Sequence, residues 1–172
     1  MKKTLNMIID EIIKQLTEYE IIPITKQNFE QIFDVYASNH DFFLLVQGEK
    51  ATIESSIGDI EAIPPNCVIE QKVYLSIWED GKAIGVLDLI EGYPEQTNFW
   101  IGLLLIHGDL QSKKIGSKIV HAMLNAAKIS GYKSAQLGVI ENNVKGIGFW
   151  QKHGFGISRQ SENIVVMSRN IV

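Results

Sequence analysis

The chain has 172 residues, 45% hydrophobic and 21% charged, a composition that excludes disordered, collagenous and disulfide-scaffold classes. A chain of this length reads as a single domain over residues 1–172 and can bury roughly 70% of the surface its unfolded form exposes. The net charge of −4 argues against a nucleic-acid partner, and the one cysteine, Cys67, has no zinc-site neighbours, so no metal is expected.

In chain order, residues 1–18 read as an additional amphipathic helix, with Leu5, Ile8, Ile9, Ile12, Ile13 and Leu16 on one face. Lys2 and Lys3 resemble the start of a signal peptide, but Asp10, Glu11 and Lys14 break the apolar run and no small-residue cleavage site follows. No stretch approaches the ~18 apolar residues of a membrane span. The expectation is a cytoplasmic protein with no membrane partner. β-Branched residues over 19–25 predict a strand. Thr25 then caps a helix from near Lys26, burying Phe29, Ile32, Phe33 and Tyr36. A second helix is predicted over 49–60 with Ile53, Ile57 and Ile60, and Pro64-Pro65 closes that region.

Residues 72–78 alternate as a strand, and Asp80-Gly81 gives a hairpin signal into a second strand over 83–90. Gly92-Tyr93-Pro94 turns the chain into a nearly continuous apolar run over 99–106. Such a run reads as a strand buried on both faces, with Gly102 a bulge site. Helical spacing over 112–130 places Ile115, Ile119, Met123, Leu124 and Ala127 inward, and Gly131 ends the helix. Residues 134–140 form a further strand. Asn143 caps a short helix through about Lys152, Gly154 stops it, and a final hairpin turns near 161–163. The class is mixed α/β.

The chemistry concentrates at two helix starts. Where the strand over 99–106 stops and the helix begins, the first amides are unpaired, and with the helix dipole they make an anion site. Lys113 and Lys114 add charge and Ser117 a hydroxyl. Charge placement agrees: residues 1–64 carry 11 acidic and 5 basic side chains, a net of −6, whereas residues 65–172 carry 9 and 11, a net of +2. The front of the chain suits a cation and the back an anion.

This segment resembles the pyrophosphate motif of the GNAT acyl-CoA N-acyltransferase superfamily, Gln/Arg-x-x-Gly-x-Gly/Ala. Gln111 takes the first position, Ile115 the spacer and Gly116 the last, while Lys114 stands in place of the first glycine. Downstream, Asn143, Gly146 (for the usual alanine), Phe149, Trp150, Lys152, Gly154 and Phe155 match the family's second segment. The resemblance implies a mostly antiparallel sheet of about seven strands flanked by helices, with splayed fourth and fifth strands. It implies acetyl-CoA as cosubstrate, with the backbone of Leu104, Leu105 and Ile106 along the pantetheine. Gln111, Ser112, Lys113, Lys114, Ile115, Gly116 and Ser117 would then hold the pyrophosphate, Asn143 would contact the pantetheine or thiol, and Trp150 would pack on the cofactor or in the core.

The implied reaction is direct attack of a primary amine on the thioester, which needs a base and an acid. Many relatives carry an acidic tyrosine where this chain has Trp150, and an indole cannot fill that role. Trp100 occupies the fourth-strand position where relatives often carry glutamate, which leaves Asp88 and Glu91 as candidate bases. His107, with a suitable pKa, lies beside the phosphate loop and reads as structural; Tyr93 and His40 are weaker candidates. The first helices usually shape acceptor choice, and here Glu30, Asp34, Asp41, Glu49 and Glu54 suit a polyamine, aminosugar or amino-acid-like amine. The alternative is a catalytically silent CoA-binding domain. Relatives commonly dimerise, which leaves a homodimer open.

Overall fold

The computed structural model describes the backbone of residues 2–172 and the side chains of residues 7–172. Seven strands form one sheet in the order β1-β2-β3-β4-β5-β7-β6. They are β1 (Glu20–Pro23), β2 (Lys72–Glu79), β3 (Lys82–Glu91), β4 (Asn98–Ile106), β5 (Ser134–Ile140), β6 (Gly156–Ser161) and β7 (Ile164–Asn170). Every neighbouring pair is antiparallel except β4 and β5, which run parallel. The mostly antiparallel mixed sheet implied by the motifs is therefore present.

Among the described residues six α-helices cover the two faces: α1 (Lys2–Gln15), α2 (Phe29–Ala37), α3 (His40–Gln47), α4 (Ile53–Ser56), α5 (Ile115–Ile129) and α6 (Val144–Lys152). On one face Ile8 and Ile12 of α1, Leu16 just beyond it, and the apolar stripe of α5 pack on Val73, Leu75, Leu87, Leu89, Phe99 and Leu137. On the other, Phe29, Ile32, Val35 and Tyr36 of α2 pack on Tyr74, Val86 and Leu105. Strand alternation sorts the two cores, since successive side chains of β2 and β3 point to opposite faces.

The N-terminal helix is bound to α5 by more than its apolar face. Asn125 Nδ2 donates to Gln15 Oε1 at 2.9 Å, and Lys118 pairs with Glu18. Ile13, expected inward, is 43% exposed, because a stripe fixed by Ile8, Ile12 and Leu16 turns it away. Leu5, Lys2 and Lys3 lie outside the described side chains.

Three local expectations shift. The helix expected from Lys26 begins at Phe29, because the Asn28 side chain folds back onto the amide of Thr25 at 2.8 Å and the carbonyl of Pro23 at 2.9 Å. That turn must finish first. The helix expected over 49–60 is one α turn followed by a 3-10 turn at Ile57–Ile60. It starts at Thr52, whose hydroxyl accepts from the Ser55 amide at 3.0 Å while Ser55 returns the bond. Helix α3 was not anticipated, since Leu44, Leu45 and Val46 are exposed and only Phe43 is buried. Among the described residues no helix is long and apolar enough to cross a membrane.

Candidate functional site

Strands β4 and β5 pair over four positions only, from Asn98 with Ser134 to Ile101 with Leu137. Beyond that point β4 continues to Ile106 and β5 to Ile140, and the two separate. β4 stays in the sheet through β3, paired as far as Ile106 with Gly85. The divergence starts at a bulge: Leu89 opposes Ile101 and Asp88 opposes Leu103, so Gly102 is the extra residue. Any other residue there must displace Asp88 or β4, since a Cβ would stand 2.8 Å from Asp88 Oδ2.

Of the three residues expected along the cofactor, Leu105 is buried against α2, while Leu104 and Ile106 pack partly buried on the α5 side. The Ile106 carbonyl is already engaged, accepting from Asn39 Nδ2 at 3.0 Å and Gln111 Nε2 at 3.1 Å. Gln111 also donates to Asn39 Oδ1 at 2.8 Å and accepts from Lys145 at 3.3 Å. Its side chain anchors the loop to the end of β4, and its backbone N–H donates to the Gly108 carbonyl at 3.4 Å, so the donors open to an anion begin at Ser112.

The loop itself is an open nest of donors. No backbone N–H from Ser112 to Ser117 donates to another group among the described residues. Ser112 at φ 63° and Lys114 at φ 66° both hold the left-handed conformation, which turns successive amides to one side. Lys114, in the place of the motif's glycine, adopts glycine's geometry. Ser117 Oγ and His153 Nε2 are 3.0 Å apart, and burial, aided by the neighbouring His121, lowers the His153 pKa. His107 is a tie, as expected: Nε2 meets Asp34 of α2 at 3.1 Å and Nδ1 accepts from the Asp109 amide at 3.2 Å.

At the start of α6, Asn143 Oδ1 accepts from the Gly146 amide at 2.9 Å, capping the helix. A Cβ on Gly146 would lie 2.5 Å from Asn143 Nδ2, so the glycine in the family's alanine position accommodates this cap. Of the two roles open to Trp150, the structure shows the core one. It is only 9% exposed and sits in the core, flanked by Phe149 at 5.1 Å and Phe155 at 5.2 Å between ring centroids. Phe149, not Trp150, is the ring beside Gly116, where a Cβ would meet it at 3.4 Å.

The two candidate carboxylates separate cleanly. Three residues apart on one strand, they face opposite sides. Glu91 is buried on the α5 side, where Oε1 accepts from Tyr132 at 2.7 Å; it does not reach the α2 face. Asp88 is on the α2 face, 9% exposed, with Oδ2 held by Lys72 at 2.8 Å and Oδ1 buried without a partner among the described residues. Burial pushes its pKa up to about 6, against the pull of Lys72.

Lys72 also donates to the Ala62 carbonyl at 2.8 Å and stands 5.0 Å from the centre of the Tyr74 ring. The Tyr74 hydroxyl bonds that of Tyr36, which donates to Asp59 Oδ2 at 3.0 Å. Burial raises the pKa of Tyr36, Tyr74 and Asp59 alike. From the sequence Tyr36 is expected only as a core residue of its helix; Lys72 and Tyr74 come to Asp88 through the register Tyr74 to Asp88 and Lys72 to Ile90, while α2 and the 3-10 turn supply Tyr36 and Asp59. By contrast Glu30, Asp41, Glu49 and Glu54 are exposed surface, and His40 meets only Asp41, at 3.3 Å. Trp100 covers Gly138 of β5, and Tyr93 sits edge-on to it at 5.6 Å.

Comparison with known proteins agrees with this geometry. Residues 30–155 match the acetyltransferase (GNAT) family. An acetyltransferase from Thermus thermophilus superposes with a TM-score of 0.76 at 22% identity, covering 88% of this chain and 96% of that one. The PaiA N-acetyltransferase of Thermoplasma acidophilum, solved in complex with coenzyme A, gives 0.69 at 18% identity over 88% and 98%. The ribosomal-protein-S18-alanine N-acetyltransferase of Escherichia coli gives 0.66 at 12% identity over 89% and 94%. No curated protein matches the chain in sequence.

Proposed function

The chain belongs to the acetyltransferase (GNAT) family, and from that premise we propose that it transfers an acetyl group from acetyl-CoA to the primary amine of a small molecule, of the polyamine, aminosugar or amino-acid class. Acetyl-CoA supplies the activated thioester. The residues present fit it: the free amides of residues 112–117 with Lys113 and Lys114 suit the pyrophosphate, and the edge of β4 left unpaired by β5 suits the pantetheine. Asn143 keeps its Nδ2 for the pantetheine or thiol while Oδ1 caps α6.

The observation that carries the reading is Asp88. Its Oδ2 faces the bulge where β4 leaves β5, 2.8 Å from where a Cβ on Gly102 would stand, and its Oδ1 is buried without a partner among the described residues. Ionised above about pH 6, Asp88 accepts the proton that the amine sheds as it attacks. Amides of β4 beyond Ile101, not taken up by β5, are donors for the thioester oxygen as it gains charge. Trp150 offers no acid, so the leaving thiolate departs as the anion or takes a proton from water.

Calorimetric titration of CoA and acetyl-CoA, followed by an amine panel read by free thiol, tests this. Binding is expected to weaken in Asn143→Ala. In Asp88→Asn, turnover is expected to fall by a factor of about 10²–10⁴ with cofactor binding retained. Thiol release by no amine on the panel, with binding intact, would instead favour a CoA-binding domain without catalysis. That second reading draws on Trp150 being buried where relatives carry an acid.

A further inference from the structure

Lys72 is the most deeply enclosed cation of the α2 face, its side chain only 3% exposed. It stands on β2 diagonally from Asp88 on β3, a separation that a long side chain spans. Two of its three N–H bonds have defined acceptors, Asp88 Oδ2 and the Ala62 carbonyl, each at 2.8 Å. The remaining direction is closed by the Tyr74 ring. The contact is to one oxygen only: Oδ2 is fixed and Oδ1 is left unbonded.

We propose that Lys72 is a positioning residue for acyl transfer: its ammonium keeps the Asp88 carboxylate ionised and fixes Oδ2 against the Gly102 bulge, where the carboxylate takes the acceptor's proton. This rests on the reading of Asp88 as the base. A carboxylate this buried favours its neutral form, and a neutral Asp88 cannot accept a proton. The groups facing it cannot substitute for Lys72. From β2 the other titratable neighbour is Tyr74, neutral because burial raises its pKa. The 3-10 turn after α4 brings Asp59, an acid that raises Asp88 further. α2 contributes Tyr36, bonded to Tyr74 and Asp59. β4 contributes Gly102 and Leu103, which do not titrate. Lys72 is the one cation among these neighbours.

The pairing has a consequence for the acceptor. With the charge of Asp88 already balanced, this carboxylate does not serve as the counter-ion of an alkylammonium. The amine approaches in its neutral form, which favours weakly basic amines, such as α-amino groups and aminosugars, over polyamines.

The test follows Asp88 directly, by carboxyl ¹³C NMR titration of aspartate-labelled protein, in the wild type, Lys72→Met and Lys72→Arg. Lys72→Gln, which keeps a donor without the charge, replaces Met should that variant not fold. The wild-type midpoint is expected near 6. Loss of the cation is expected to raise it by about 1–3 pH units, with Arg close to wild type. An unmoved midpoint in the uncharged variants overturns the proposal whatever the activity. In parallel, the acid limb of kcat/KM is expected to move by the same amount with the KM for acetyl-CoA unchanged. A midpoint that moves while the limb stays in place would remove Asp88 as the base, and the catalytic role of Lys72 with it.

Discussion

Replacing Gly102 by alanine tests whether the bulge and the carboxylate form one unit. The added methyl carbon would sit 2.8 Å from Asp88 Oδ2 and 3.2 Å from its Cγ, inside the ~3.3–3.6 Å of an unstrained C···O contact. Either the carboxylate retreats by about 0.6 Å or β4 shifts. Asp88 is not a free end that can swing away, because Lys72 holds it at 2.8 Å in a buried pair. Overpacking of this kind costs about 1–3 kcal/mol. Alanine also restricts the unfolded chain, offsetting about 0.4–1 kcal/mol, which leaves a net loss of about 1–2 kcal/mol. For a domain of this size that lowers Tm by about 2–8 °C. Turnover is expected to fall by about ten- to a hundredfold, since displacements approaching 1 Å misalign proton transfer. CoA affinity is expected to hold, because the loop over 111–117 is untouched. Scanning calorimetry, CoA titration and thiol release measure the three quantities. A variant with wild-type Tm and wild-type turnover would refute the argument, since it would mean that Asp88 has room the geometry denies it.

Two alanine substitutions on α6 form a matched pair. Gly148 has nothing within 4 Å of a Cβ, so Gly148→Ala is expected to stabilise by about 1 kcal/mol through helix propensity. Gly146→Ala gains the same amount but displaces the Asn143 cap, which costs about 1 kcal/mol; thermal unfolding should find it near neutral. Lys114→Gly removes a left-handed lysine and one positive charge from the cradle. CoA binding is expected to weaken and to depend less steeply on salt, which titration at two ionic strengths would show. Asp88, lifted to about 6 from 3.8, binds its proton more tightly folded than unfolded. Its contribution to stability is therefore full below about pH 4 and lost as pH rises through 6, about 3 kcal/mol in all. Relative to Asp88→Asn, the wild type should lose stability over that interval in denaturant titrations; parallel pH profiles would contradict the shift.

What the sequence made legible was whatever local pattern encodes. The alternation of β2, the apolar run of β4 and the stripe of α5 each announce burial within a few residues, and the Asn143 cap and the phosphate loop are contiguous motifs. Gly102 was readable as a bulge site because a glycine interrupts a buried apolar strand. Helix α3 was not, since its periodicity is blurred by three exposed apolar residues in a row. Glu91 faces away from Asp88 for a reason that strand geometry alone supplies: if Asp88 faces α2, a residue three places on faces the other core. Only the absolute facing was missing, and no single strand contains it.

Lys72 lay further out of view. It is separated from Asp88 by 16 residues and by a hairpin whose register slips between Ile77 and Trp78. Counting outward from Asp80-Gly81 without that irregularity sets Lys72 against the wrong partner and on the wrong face. The same register places Tyr74 opposite Asp88, and α2 and the 3-10 turn bring Tyr36 and Asp59 onto Tyr74. The acidic side chains that made the front of the chain look like a cation site mostly lie in solvent, while the charge proposed to act in the chemistry is an internal pair. Acceptor choice is therefore better sought in how Lys72 and Asp88 balance one another than in the net charge of the helices that surround them.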